Sequence, residues 1–192
     1  MTTPIDNTSP SSGLPCPIVA IGASAGGLEA LQVLFESAPV ATNAAYIVIP
    51  HLDPDHESLM TELLARRTGL LVEQVTHGTE PEAGHVYLIP PGTSMTIEEG
   101  RLRLEALPRP RGVRRPIDTF FLSLADDLER GFACVVLSGT GADGSRALRA
   151  AKEAGLTGIV LEAEGVMVLR RAEVIREADA AGLFLLVEPA PA

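Results

Sequence analysis

Short runs of continuously apolar residues recur along this chain, and a helical pattern follows most of them. Ile18–Ile21, Ala45–Pro50 and Phe132–Ser138 are the clearest runs, with "GLLVEQV" and "HVYLIP" between them. A strand apolar at every position is buried on both faces, which is the habit of parallel sheets covered by helices. The intervening helices show in the spacing of Leu28, Leu31, Leu34 and Phe35, and again in Leu59, Met60, Leu63 and Leu64. "IDTFFLSLADDLE" predicts a third helix that starts near Ile117 or Asp118, and "SRALRAAKEAG" a fourth closed by Gly155. A strand–helix–strand unit is expected from Thr157 to Val187. "SMTIEEGRLRLEAL" breaks the pattern, because its two alternating arms flank Glu99-Gly100 and predict a hairpin. The expected fold is therefore α/β: a three-layer, doubly wound, mainly parallel sheet with an added antiparallel β-hairpin.

At 192 residues the chain has the length of one domain with a full core. Residues 1–17, rich in Pro, Ser and Thr, read as a flexible tail, and residues 18–189 as the folded domain. That tail lacks the basic start and apolar centre of a signal peptide, and no run is long enough to span a bilayer. Cys16 falls in the tail and Cys134 in an apolar strand, so a disulfide is not expected and a reducing cytoplasm fits. A net charge of −10 argues against nucleic-acid partners. One basic stretch, "PRPRGVRRP" with Arg109, Arg111, Arg114 and Arg115, reads either as a solvated loop or as a surface that meets an acidic partner.

Ligands of open parallel sheets bind beyond the carboxyl ends of the strands. Three predicted strands end in "GASAGG", "PHLDPDH" and "SGTGADG", and these turns supply Ser24, His51 and Asp143. A hydroxyl, an imidazole and a carboxylate are the parts of a nucleophilic acyl-transfer site. Each also has an ordinary reading: Ser24 as a helix cap, His51 as a polar strand exit, Asp143 as a turn residue. "GASAG" matches the G-x-S-x-G elbow, whose small neighbours permit a tight turn before a helix N-terminus. The order Ser, His, Asp differs from that of α/β-hydrolases.

Other chemistries fit less well. A dinucleotide loop wants glycine where Ser24 stands. A phosphate loop needs a Gly-Lys pair, and the single lysine, Lys152, is far from either glycine turn. "HLDPDH" could hold a metal, but Asp53-Pro54-Asp55 reads as a helix-starting turn, and His77 and His85 lack ligand spacing.

"IGASAGG", "IPHLDPDH", "GHVYLIPPG", "RRPIDTFFLSLA" and "VVLSGTGADG", in this order, resemble the CheB-type protein-glutamate methylesterase domain. The likeness covers about Ile18 to Gly155 and is greatest to the version fused to CheR-type methyltransferases. It implies hydrolysis of glutamyl methyl esters on methyl-accepting chemoreceptors, within their helical cytoplasmic region; many members also deamidate glutamines. By position it implies Ser24 as nucleophile, His51 as general base and Asp143 as the acidic member. The backbone N–H of Thr140, with Ala25 or Gly26, would bind the oxyanion. Arg115 and Asp118 fall in a segment that borders the family's cleft and are candidate substrate-binding residues. The resemblance implies no metal and no organic cofactor. Its implied partners are the receptor and a CheR-type methyltransferase or a response regulator in trans. The residues before Ile18 are too few for the family's usual receiver domain, so control by phosphorylation on the same chain is not expected. After Gly155 neither the family's Gln-Asp-Pro turn nor its Met-Pro pair occurs, and Met167 precedes Val168. A weakened regulatory or binding domain, or a serine esterase with another substrate, are the alternative readings.

Overall fold

The computed structural model describes residues 14–23, 27–50, 59–107, 115–128, 132–137, 158–162 and 184–188. In chain order the described elements are β1 (Ile18–Ala23), α1 (Gly27–Ser37), β2 (Ala45–Pro50), α2 (Met60–Ala65), β3 (Leu71–Gln74) and β4 (His85–Leu88). They continue with β5 (Thr93–Glu98), β6 (Arg101–Ala106), α3 (Pro116–Asp127), β7 (Phe132–Leu137), β8 (Gly158–Glu162) and β9 (Phe184–Glu188). Seven strands form one sheet in the order β3-β4-β2-β1-β7-β8-β9, and every neighbouring pair is parallel. The sequence order changes direction at β1, with β2 on one side and β7 on the other. This is the expected doubly wound sheet, and its switch point lies where ligands of such folds bind. The helix expected to end at Gly155 and the last one before β9 lie outside the described residues.

Strand alternation sorts the side chains into two cores. Ile18, Ala20, Ile47, Ile49 and Cys134 face α3 and the hairpin, packing on Ile117, Phe120, Phe121 and Leu124. Ile21, Ala23, Val48, Val86, Val135 and Leu137 face the other way, onto Leu31, Phe35 and Leu64 of α1 and α2. Because the central strands are apolar on both faces, they can be covered only from both sides, which produces the three layers.

β5 and β6 pair antiparallel from Thr93↔Ala106 to Glu98↔Arg101, leaving the two-residue loop Glu99-Gly100. Both loop residues have positive φ, 52° and 72°. That is the primed turn whose twist matches the strands, and glycine supplies one of its two positions. The turn docks on α3: Glu99 N–H and Gly100 N–H donate to the two carboxylate oxygens of Asp127, at 2.6 and 2.9 Å. Midway along, Ile97 N–H donates to Ser123 Oγ at 3.0 Å. Asp127→Ala therefore strands two amide donors. The expected loss is about 1–2 kcal/mol in a urea denaturation, with Asp127→Asn recovering part of it.

α3 begins at Pro116, which agrees with the expected start near Ile117 or Asp118, and proline at the first helical position gives up no hydrogen bond. One detail departs from the sequence reading. Cys16, read as a tail residue, is buried in the core beside β2; its thiol donates to Pro81 O at 3.6 Å. Pro17 O also accepts from Ala45 N–H at 2.9 Å, so the chain is already tied to the sheet before β1 begins.

Candidate active site

The carboxyl ends of the three central strands stand level. In the β1–β2 register Ala23 is opposite Pro50, and in the β1–β7 register Ala23 is opposite Leu137. Neighbouring strands lie roughly 4.8 Å apart, so these three chain exits occupy one short stretch of sheet edge. Ser24 is the residue after Ala23, and His51 is the residue after Pro50. Ser24, His51, Asp143, Thr140, Ala25 and Gly26 themselves lie outside the described residues, as do Arg109, Arg111 and Arg114 and the "HLDPDH" cluster.

Gly22 gains a reason that the sequence did not show. It is the first glycine of the G-x-S-x-G match, and it lies inside β1. A Cβ there would sit 2.6 Å from Ile117 Cγ2 and 3.0 Å from Ile117 Cδ1. Glycine is thus required by the close approach of α3, whose first turn covers the carboxyl end of β1. α3 runs back from this edge and ends at Asp127, near the start of β7.

That first turn carries the two candidate residues that the structure does describe. Asp118 is buried, 2% exposed, as the third helical residue. Its carboxylate benefits from the positive end of the helix dipole. Arg115, at the N-cap position, places Nη1 3.5 Å from Asp118 Oδ2 while its own side chain stays 40% exposed. The carbonyl of Arg115 accepts from Thr119 N–H and Thr119 Oγ1–H, both at 2.9 Å. The structure thus brings Arg115 and Asp118 together at the edge where β1 ends.

The described cysteines and histidines lie elsewhere. Burial pushes the Cys134 thiol up to about 12, and burial is also the main cause that raises Cys16. Both thiols are therefore protonated at neutral pH and unsuited to nucleophilic attack. His85 Nδ1 lies 3.0 Å from Glu73 Oε1, and the His85 ring stacks on Tyr87. His77 Nδ1 accepts from Leu104 N–H at 3.2 Å, tying the segment after β3 to the hairpin. Among the described residues no group of three or more His, Cys, Asp or Glu could hold a metal ion. Among them, too, no helix is long and apolar enough to cross a membrane.

The family model of the CheB methylesterase matches residues 19–186. The chain belongs to the CheB methylesterase family. A CheB relative from Pseudomonas aeruginosa, protein-glutamate methylesterase/protein-glutamine glutaminase 3, is 34% identical over 174 residues; the match covers 89% of this chain and 51% of that protein. A relative of the same activity name from Myxococcus xanthus is 34% identical over 148 residues, covering 75% of this chain and 43% of that protein. The chain spans about half the length of the curated relatives it matches. The crystal structure of the Thermotoga maritima CheB methylesterase catalytic domain aligns with a TM-score of 0.72 at 23% identity. That alignment covers 90% of this chain and 92% of the other, and it shows a common fold. The matched region takes in β1 to most of β9, including the strands after Gly155 where the sequence leaves the family's pattern.

Proposed function

We propose that the chain is a serine esterase that hydrolyses glutamyl methyl esters on methyl-accepting chemoreceptors, by the chemistry its CheB relatives are named for. The observation that carries this reading is the level ending of β1, β2 and β7, with Ser24 and His51 as the next residues of two of those strands. In this proposal His51 takes the Ser24 proton as the hydroxyl oxygen attacks the ester carbonyl. Asp143 orients the imidazole and stabilises its cation. The backbone N–H of Thr140, with that of Ala25 or Gly26, stabilises the oxyanion. His51 returns the proton to the leaving methoxide, methanol departs, and water hydrolyses the acyl-enzyme to a glutamate carboxylate. The same steps with ammonia as leaving group would deamidate glutamine. No metal or organic cofactor takes part, and the substrate region is the receptor's helical cytoplasmic part, which places the work in the cytoplasm.

The purified chain is expected to release methanol from receptor membranes carrying methylated glutamates, measured as volatile label. Hydrolysis of small esters with no methanol from receptor would assign a different ester substrate. Absence of both would assign a binding role.

A further inference from the structure

We propose that two copies of this chain pair edge to edge through β3, forming a two-fold dimer whose sheet runs on from one copy to the other. Pairing there involves neither the candidate catalytic residues nor an esterase activity. β3 is the outer strand of the described sheet, and among the described residues only β4 pairs with it. Leu71 N–H donates to Gly84 O and Val75 N–H to Leu88 O, so alternate residues of β3 aim their backbone groups at β4. Val72 and Gln74 then turn their N–H and C=O groups to the open side. An open edge of this kind is a template for another strand. The described residues include four exposed large apolar side chains, and three of them lie on β3 or beside it. Leu71, 64% exposed, is on β3 itself, and Leu59, 65% exposed, starts α2, the helix laid against β3. Val40, 64% exposed, lies against Gly69 just before β3.

A second copy is the occupant that the pattern of this edge fits. A two-fold axis perpendicular to the sheet makes the added strand antiparallel and keeps each face of β3 on its own side. Two registers overlap the strands most fully. One centres on Glu73 and sets it against Glu73 of the second copy, which like charge disfavours. The other centres on Val72, whose backbone groups then bond those of Val72 in the second copy. It sets Leu71 against Glu73 of the second copy and makes the two Leu71 side chains diagonal neighbours. α2 covers the opposite face, where Leu64 packs with Val72 and Val86. The chain leaves β2 at the carboxyl edge and enters β3 at the amino edge, so α2 runs opposite to β3. In the dimer the two α2 helices come side by side and antiparallel, the Glu62 end of one beside the Arg66 end of the other. Leu59, Glu62 and Arg66 recur at helical spacing along one exposed stripe. Neither charge has an ion-pair partner among the described residues, whereas Arg67 and Glu73 are engaged by Glu36 and His85. A stripe with one charge of each sign complements its own reversed copy, which offsets locally the repulsion between chains of charge −10.

The test is sedimentation equilibrium of the whole chain over about 5–500 µM, since one short strand and one short helix per copy make a weak interface. A reversible monomer–dimer equilibrium is expected. Gln74→Pro removes an N–H that faces the open edge and leaves the bonds to β4 in place. It should weaken the dimer at least about tenfold, as should Leu71→Lys, because each change acts twice across a two-fold. Glu62→Arg and Arg66→Glu should each weaken self-association about tenfold, by setting like charges together. An equimolar mixture of those two variants should dimerise again, because each then meets only the opposite charge, and high salt should narrow the difference. Rescue by mixing cannot come from a folding defect. A chain that stays monomeric at about 500 µM overturns the proposal and leaves the edge to a different partner. A dimer that Gln74→Pro and Leu71→Lys leave unchanged also overturns it, as does growth into larger species, which a closed two-fold contact forbids.

Discussion

Replacing Ser24 with alanine is expected to lower ester hydrolysis by about 10,000-fold or more, leaving little above background. The serine oxygen forms the covalent bond to the acyl group, so its removal closes the acyl-enzyme route rather than weakening one contact. The alternative role as a helix cap makes a different forecast. Loss of a cap costs about 1 kcal/mol of stability and does not touch chemistry. The described part of α1 begins at Gly27, two residues beyond the position following Ser24. Ester turnover and a denaturation curve on the same Ser24→Ala protein separate the two roles. Lost turnover with an unchanged curve identifies the nucleophile, and retained turnover removes Ser24 from the mechanism.

Gly22→Val is expected to damage both stability and activity. The new Cβ would lie 2.6 Å from Ile117 Cγ2, with all three nearest atoms belonging to that one buried, β-branched side chain. Overpacking of this kind costs about 1–3 kcal/mol, and here relief requires moving the first turn of α3. Arg115 and Asp118 would move with it. Since a displacement of about 1 Å in a catalytic site can cost on the order of 100-fold in rate, activity should fall by more than the folded fraction explains. Gly22→Ala combined with Ile117→Ala should recover much of what Gly22→Ala alone loses, because the second change removes the colliding atoms. Additive losses in that double variant would contradict the contact as the cause.

The fold was legible because its signals are local. Continuous apolar runs at β1, β2 and β7 admit few readings other than doubly covered strands. Glu99-Gly100 marks its turn through a backbone conformation that glycine favours. The missed features join residues far apart in sequence. Gly22 meets Ile117 and Asp127 receives two amides of the hairpin turn only after the chain has folded. Cys16 is buried by Pro81 and β2, and nothing in its Pro- and Ser-rich surroundings announces that. The candidate site was legible in another way. The general rule for parallel sheets led to the expectation that three strand ends share one rim, and the registers of β1 with β2 and β7 put those ends level. The assignment of Ser24, His51 and Asp143 came from residue types at those ends and from the CheB motifs. Spacing alone could not exclude the cap and turn readings.

The central claim is that Ser24 is an activated nucleophile, and the most direct measurement is reaction of the folded chain with a fluorophosphonate, mapped by peptide mass spectrometry. The expected result is stoichiometric modification of Ser24, strongly slowed in His51→Ala and absent after unfolding. A folded chain in which Ser24 stays unmodified, or in which its labelling is indifferent to His51, would contradict the claim.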